Sequence, residues 1–287
     1  MSMKKSQPAL TAALIQKYLD YLQEQERSAH TISKYAHDLN ALLAYLHGEP
    51  LTKTALIGWK AQLVDALAPT SVNSMLVAVN GFLQFCGWPE LRIKLLKIQK
   101  AVFLDESKEL TREEYTRLVN AAKMQENERL ALVIQTICAT GIRVSELRFI
   151  TVEAVRIGRA EISNKGKRRI VFLPAALRKL LTAYLHKQGK VSGMVFTTRT
   201  GRPLDRSNIW KDMKALCQTA GVDPKKVFPH NLRHLFARMF YAIDHDLSRL
   251  ADILGHSSIN TTRIYTAECG SIHAQQVERL RLIVTAT

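Results

Sequence analysis

The chain has 287 residues, 47% of them hydrophobic, enough to bury a sizeable core in one large domain or two smaller ones. Lys plus Arg number 41 against 25 Asp plus Glu, and a formal charge of +16 repels itself in the compact state, which makes a polyanion such as nucleic acid the first candidate partner. No run approaches the ~18 apolar residues of a membrane span, and Gln16, Lys17 and Asp20 break any secretory core behind Lys4 and Lys5, so a cytoplasmic protein is expected.

Leu14, Tyr18, Leu19 and Leu22 recur at helical spacing, as do Ile32, Tyr35, Leu39, Leu42 and Leu46, with Gly48 placed as a stop. Further helices are predicted over Thr54 to Leu67 and Thr70 to Cys86, the latter closed by Gly87 and Trp88-Pro89, so the first hundred residues read as a four-helix unit. Periodicity weakens over residues 98–108, where the domain boundary is placed. Thr111 followed by Glu114 then forms a capping box that opens a new helix. Both parts are basic, with 11 basic against 7 acidic residues through Lys100 and 30 against 18 after it.

In the second part the apolar stretch ending at Thr140-Gly141 is a helix, and a fresh one is predicted from about Arg143. RAEISNKGKRRIVFLP changes period and reads as two short strands around a Gly166 turn. A helix follows from Pro174 to Lys187, VFTTRTGRPLD gives a short extended segment and turn, and the chain from Ser207 onward is mostly helical. The fold class expected is mainly α with a small β-sheet in two domains. The four cysteines, Cys86, Cys138, Cys217 and Cys269, stand far apart with no metal-type pair, which fits a reduced compartment.

Three stretches could carry chemistry. In PHNLRHLFARMF, Pro229 suits a first helical turn, and His230 and Arg233, three apart, share a face near a helix N-terminus, where an anion is the natural ligand. Taken alone the pair is also compatible with a surface arginine beside a capping histidine. In TGIRVSELRF, Arg143 follows a turn that can aim its side chain, or it pairs with Glu146. In LGHSSINTTRIYT, Gly255 ends a helix, His256 occupies the turn, Ser257 or Ser258 can cap the next segment, and Tyr265 follows nine residues after the histidine.

TGIRVSEL, the basic hairpin, HNLRH and LGHSSINTTRIYT, in that order and spacing, resemble the tyrosine recombinase family, the phage-type integrases that include the Xer recombinases. The resemblance implies a helical core-binding domain over residues 1–100 and a catalytic domain over 109–287. It implies that Arg143 and Arg233 clamp the scissile phosphate, that His230 is the acid/base histidine, that His256 contacts the phosphate and that Tyr265 is the nucleophile. The family places a lysine in a hairpin turn. Here Lys165 matches best, with Lys167 the alternative. Lys167, Arg168 and Arg169 in the hairpin, and Lys225 and Lys226 before the HxxR helix, are expected to touch DNA phosphates, and Glu146 to orient Arg143.

The chemistry agrees with those residue types. Attack of a phenol on a phosphodiester builds charge on a pentacoordinate phosphorus, and two guanidiniums supply permanently charged bidentate donors for it. Neither metal nor cofactor is expected. The phosphotyrosine ester keeps the energy of the broken bond, so a 5′ hydroxyl of a new strand can reverse the step. The resemblance implies a site-specific recombinase acting on double-stranded DNA for integration, excision or resolution, as a homodimer on each site and a homotetramer in synapsis, with an accessory DNA-bending protein as a further partner and no membrane. The tail from Ser271 to Thr287 is expected to dock on a neighbouring protomer. A type IB topoisomerase and a catalytically silent DNA-binding accessory protein are the alternatives.

Overall fold

The computed structural model describes residues 8–98, 106–164, 167–256, 258–266 and 278–279. By contacts the chain divides into two units, Met1–Lys100 and Ala101–Thr287. Among the described residues no helix is long and apolar enough to cross a membrane.

The first unit contains α1 (Ala12–Glu24), α2 (Ala29–Leu46), α3 (Lys53–Ala66) and α4 (Pro69–Phe85). Thr11, Ser28 and Thr52 cap the first three with side-chain oxygens, and Pro69 pre-sets the first turn of the fourth. The left-handed residue that stops α2 is His47, with Gly48 following at positive φ, so the turn begins one residue earlier than the glycine alone predicts. Leu39, Leu42, Leu56, Val72, Leu76, Phe82 and Leu83 form a dry core. One feature escapes hydrophobic periodicity. Asn73 and Asn80, seven apart on α4, each take the backbone N–H and C=O of one residue of the exit segment, Leu96 and Ile93, at 2.7–2.9 Å.

The second unit is built on α6 (Glu128–Thr140), whose residues Leu130 to Ile134 are all buried. Around it lie α5 (Arg112–Met124), α8 (Ala175–Lys187), α9 (Arg206–Ala215) and α11 (Pro229–Asp244), with α7 (Val152–Ile157) and α10 (Cys217–Ala220) as short connectors. The capping box at α5 is present, with Thr111 and Glu114 exchanging bonds. Strands β1 (Arg159–Asn164) and β2 (Lys167–Phe172) pair antiparallel, from Arg159 against Phe172 to Asn164 against Lys167. Residues after Gly141 form a six-residue 3-10 run, Val144–Phe149, with Arg143 at its cap rather than a new α-helix. The described chain closes with α12 (Leu247–Leu254), α13 (Ile259–Thr262) and a 3-10 turn, Arg263–Thr266.

Candidate active site

The helix α11 enters from extended Phe228, and Pro229 fixes its first turn, so His230 and Arg233 project from the start of the helix. Arg233 is 1% exposed. Its guanidinium donates to the carbonyl of Gly141 at 2.5 Å and to that of Leu254 at 2.7 Å. Those two carbonyls end α6 and α12, both of which stop at a glycine in the left-handed region, Gly141 at φ 64° and Gly255 at φ 65°. Helix C-termini carry unpaired carbonyls and partial negative charge, so two helix ends converge on one buried cation. Both glycines are also sterically required. A Cβ on Gly141 would lie 2.4 Å from Phe236, and one on Gly255 2.9 Å from Arg169.

Arg143 reaches the same place from the other side of the α6 turn. Its backbone N–H and its Nη1 donate to the two oxygens of Glu146 at 2.8 and 3.0 Å, and Arg169 of β2 donates to the same oxygens at 3.0 and 2.7 Å. Glu146 is 1% exposed. Burial alone would raise its carboxyl, but the hydrogen bonds from Arg169 and from the Arg143 backbone, with both guanidinium charges, bring it down to about 2. The Arg143 side chain keeps an open face, and with Arg206, Trp210, Phe228, His230 and Arg233 it lines a cleft of about 460 Å³.

Tyr265 sits in the final 3-10 turn, 5% exposed. Its ring stacks on His256 at 5.7 Å and 22°, meets His234 edge-on at 4.7 Å, and lies 6.5 Å from His230. His256 is held by both nitrogens. Arg233 Nη2 lies 2.9 Å from Nε2, and Thr262 Oγ1 lies 2.8 Å from Nδ1. Arginine has no acceptor, so Nε2 accepts and Nδ1–H donates to the threonine. Burial, and then the charges of Arg233, Arg143 and Arg169, bring His256 down to about 4, which matches this neutral tautomer. His230 keeps an exposed edge, yet the protein packed behind its ring, with His234, Arg233, Arg143 and Arg206 nearby, lowers it likewise to about 4. Burial and Arg143 lower Arg233, while Tyr265 beside it pulls the other way; a guanidinium remains charged at neutral pH throughout.

Five expected residues, Arg143, His230, Arg233, His256 and Tyr265, therefore share one site although they come from segments spread over residues 143–265. Lys165 and Gly166 lie outside the described residues, and Lys167 opens β2 opposite Asn164. Arg168 is 78% exposed along its side chain, 3.8 Å from Glu161, and faces solvent. Arg169, expected on phosphate, turns inward to Glu146 because that buried carboxylate has two oxygens to fill. Lys226 likewise pairs with Glu114 at 3.0 Å in a largely buried setting, whereas Lys225 is exposed. The tail over 267–277 and 280–287 lies outside the described residues.

Among the described residues of the site, Arg206 and Trp210 of α9, His234, Phe228 and Thr262 carry no sequence expectation. The Asp205 cap, which accepts from Ser207 and Asn208, was the available signal that α9 begins with Arg206. His234 is visible in HNLRH as a residue four on from His230 and so on the same helix face.

Residues 108–269 match the family model described as the phage integrase family, and residues 15–88 match that of the phage integrase N-terminal SAM-like domain. The chain is 30% identical over 278 residues to tyrosine recombinase XerD of Proteus mirabilis, covering 88% of each chain. It is 29% identical over 280 residues to XerD of Halalkalibacterium halodurans, covering 88% of this chain and 92% of the relative. Among solved structures, XerH recombinase bound to its difH substrate before cleavage superposes with a TM-score of 0.70 at 21% identity, covering 93% of this chain and 84% of that one. A lambda integrase tetramer bound to a Holliday junction superposes at 0.73 and 15% identity, covering 91% and 78%. Both share the fold.

Proposed function

The chain belongs to the phage integrase family, a tyrosine-type site-specific recombinase that cleaves and rejoins DNA, and from that premise we propose that Tyr265 is its nucleophile and Arg143 and Arg233 its phosphate clamp. The observation that carries this assignment is the convergence of both guanidiniums with His230 and His256 around one buried phenol. The first unit is the core-binding domain and the second, from about residue 109, the catalytic domain.

In the reaction the Tyr265 oxygen attacks the scissile phosphorus, the P–O5′ bond breaks, and a 3′-phosphotyrosyl ester and a 5′ hydroxyl result. Arg143 and Arg233 hold the non-bridging oxygens and stabilise the added charge. His230, depressed and neutral at physiological pH, is suited to accept the phenol proton, since a base must be unprotonated to act. The departing O5′ takes its proton from a lysine of the hairpin turn, Lys165 with Lys167 as the alternative. The 5′ hydroxyl of a partner strand then reverses the step, and two rounds of exchange pass through a Holliday junction.

The cations of the site bind double-stranded DNA, with Arg168, Lys225, Arg206 and Trp210 placed to meet it around the cleft. A homodimer on each site and a homotetramer in synapsis follow from exchange between two duplexes, and the lambda integrase structure that shares this fold is a tetramer bound to a Holliday junction. Tyr265 packs on the histidines of its own protomer, which supports cleavage in cis. The described cysteines Cys86, Cys138 and Cys217 are free thiols, in keeping with a cytoplasmic setting.

The test uses genomic fragments recovered by crosslinking to the protein, rebuilt as a nicked duplex. Wild type gives a covalent protein–DNA band on a denaturing gel and Tyr265→Phe gives none. A band that persists in Tyr265→Phe overturns the nucleophile assignment. A mixture of Tyr265→Phe and Arg233→Ala protomers that regained cleavage would overturn the cis reading.

A further inference from the structure

Three consecutive residues leading into α5 are bound to one face of α11. Asn231 donates to the Lys108 carbonyl at 2.9 Å, His234 Nδ1 lies 3.3 Å from Glu109 Oε1, and Arg238 donates to the Leu110 carbonyl at 2.5 Å. Positions 231, 234 and 238 lie three and four apart and so share a helix face. The segment runs as a strap along the helix that carries His230 and Arg233.

The middle residue of that strap is a buried acid that the phosphate chemistry does not use. Glu109 is 8% exposed. Its second oxygen lies 3.5 Å from Arg238 Nε, and neither of those atoms makes a hydrogen bond among the described residues. Burial alone would raise its carboxyl, but the hydrogen bond and charge of His234, with Arg238 and His230, lower it below the ordinary value, so Glu109 is ionised. An ionised carboxylate only accepts, which makes His234 Nδ1 the donor and fixes the imidazole about that bond. The ring so fixed meets Tyr265 at 4.7 Å and 77° and His230 at 4.6 Å and 65°. His234 thus lies between the entry strap on one side and two residues of the site on the other.

We propose that Glu109 and His234 form a carboxylate–imidazole couple that positions the nucleophile, with Glu109 locking the His234 ring and the ring setting the angle of the Tyr265 phenol and the place of His230. Both are positioning residues. The inference rests on Tyr265 being the nucleophile. Orientation matters because in-line attack tolerates little error, and a misplacement of about 1 Å can cost about a hundredfold in rate.

The experiment is single-turnover cleavage of the nicked duplex described above, at saturating protein, with affinity for the intact duplex and thermal melting measured beside it. Glu109→Ala and His234→Ala are each expected to cut about tenfold to a hundredfold more slowly, with affinity changed less than about threefold. The double variant is expected to be no slower than the slower single, because the two act as one unit. Glu109→Gln, whose amide oxygen still accepts from Nδ1, recovers most of the rate. A general structural defect would lower melting and binding without that non-additivity or that rescue.

Wild-type cleavage by Glu109→Ala, or a double variant as slow as the product of the singles, overturns the proposal. If Glu109→Ala does not fold, a wild-type rate in His234→Ala overturns it. Failure of the wild type to form a covalent band, or a band in Tyr265→Phe, strikes the nucleophile assignment instead, so the two failures are distinguishable.

Discussion

Arg233 Nη2 donates to Nε2 of His256 at 2.9 Å, so this histidine is an acceptor, turned toward the arginine, and its only ring N–H goes to Thr262. On the proposed assignment, a phosphate entering the cleft competes with His256 for Arg233. The histidine can then reach that phosphate as a donor only through a proton on Nε2. Thr262, fully buried three residues before Tyr265, ties the segment bearing the proposed nucleophile to the arginine site through this ring.

Replacing Thr262 tests that tie. Thr262→Val keeps the shape but leaves the Nδ1–H of His256 without an acceptor, a loss expected to cost about 1–3 kcal/mol of stability. Urea unfolding should show it, cleavage should slow in parallel, and Thr262→Ser should restore both. Equal stability in the valine and serine variants would remove the threonine from the account.

Stability should fall in two stages with acidification. His230 and His256 are held at about 4 against an ordinary 6.5, so between those values the unfolded chain takes up protons that the folded site refuses. Their effect is absent above about pH 6.5 and grows as the pH falls toward 4. Glu146, held at about 2 against 4.5, contributes stability that is full above pH 4.5 and lost as the pH falls toward 2. Urea midpoints measured across this range should show both stages. His256→Gln should flatten the upper one, and an unchanged upper slope in that variant would contradict the assignment.

Glu146 binds two arginines from two separate segments. Glu146→Ala leaves the largely buried Arg169 guanidinium uncompensated, and removal of one partner of such a pair costs about 3–5 kcal/mol, with the solvent-facing Arg143 adding little. Arg169→Lys should not substitute well, because a single ammonium cannot make the paired bonds of the guanidinium fork. Denaturant melts of the two variants, with a covalent-band assay for each, check both statements.

Gly141→Ala forces a side chain into left-handed backbone and toward Phe236 at 2.4 Å. Strain of this kind costs about 1–3 kcal/mol before the clash is counted. Because the Gly141 carbonyl also receives Arg233, cleavage should fall further than stability alone accounts for, and a variant that folds less well yet cuts normally once bound would refute that link.

Much of this was legible from residue order. The helical spacing of Leu39, Leu42 and Leu46, the Thr111–Glu114 capping box and the change of period at residues 159–172 each rest on local physics, and each appears in the fold. The residues expected at the phosphate site could be named because their motifs lie at fixed offsets. What escaped depends on contacts between distant segments. Nothing in KRRIVF says that Arg169 turns inward, because its partner Glu146 lies on another element 23 residues away. Glu109 and His234 are 125 residues apart, and neither has a local pattern that announces the other. Arg143 caps a 3-10 run instead of opening an α-helix, although Glu146 reaches back to its N–H as Glu114 does at the start of α5.

Among the described residues no carboxylate bonds to the buried arginine at the centre of the site. Its partners are two peptide oxygens, an imidazole lone pair and the Tyr265 phenol, all dipoles, and a dipole steadies a cation without cancelling it. A carboxylate in the same position would have rivalled the incoming substrate. Among the described residues, Arg143, Arg169, Arg206 and Arg233 stand against Glu146, so the site retains a surplus of positive charge, the complement of the doubly negative phosphorane that the proposed attack forms.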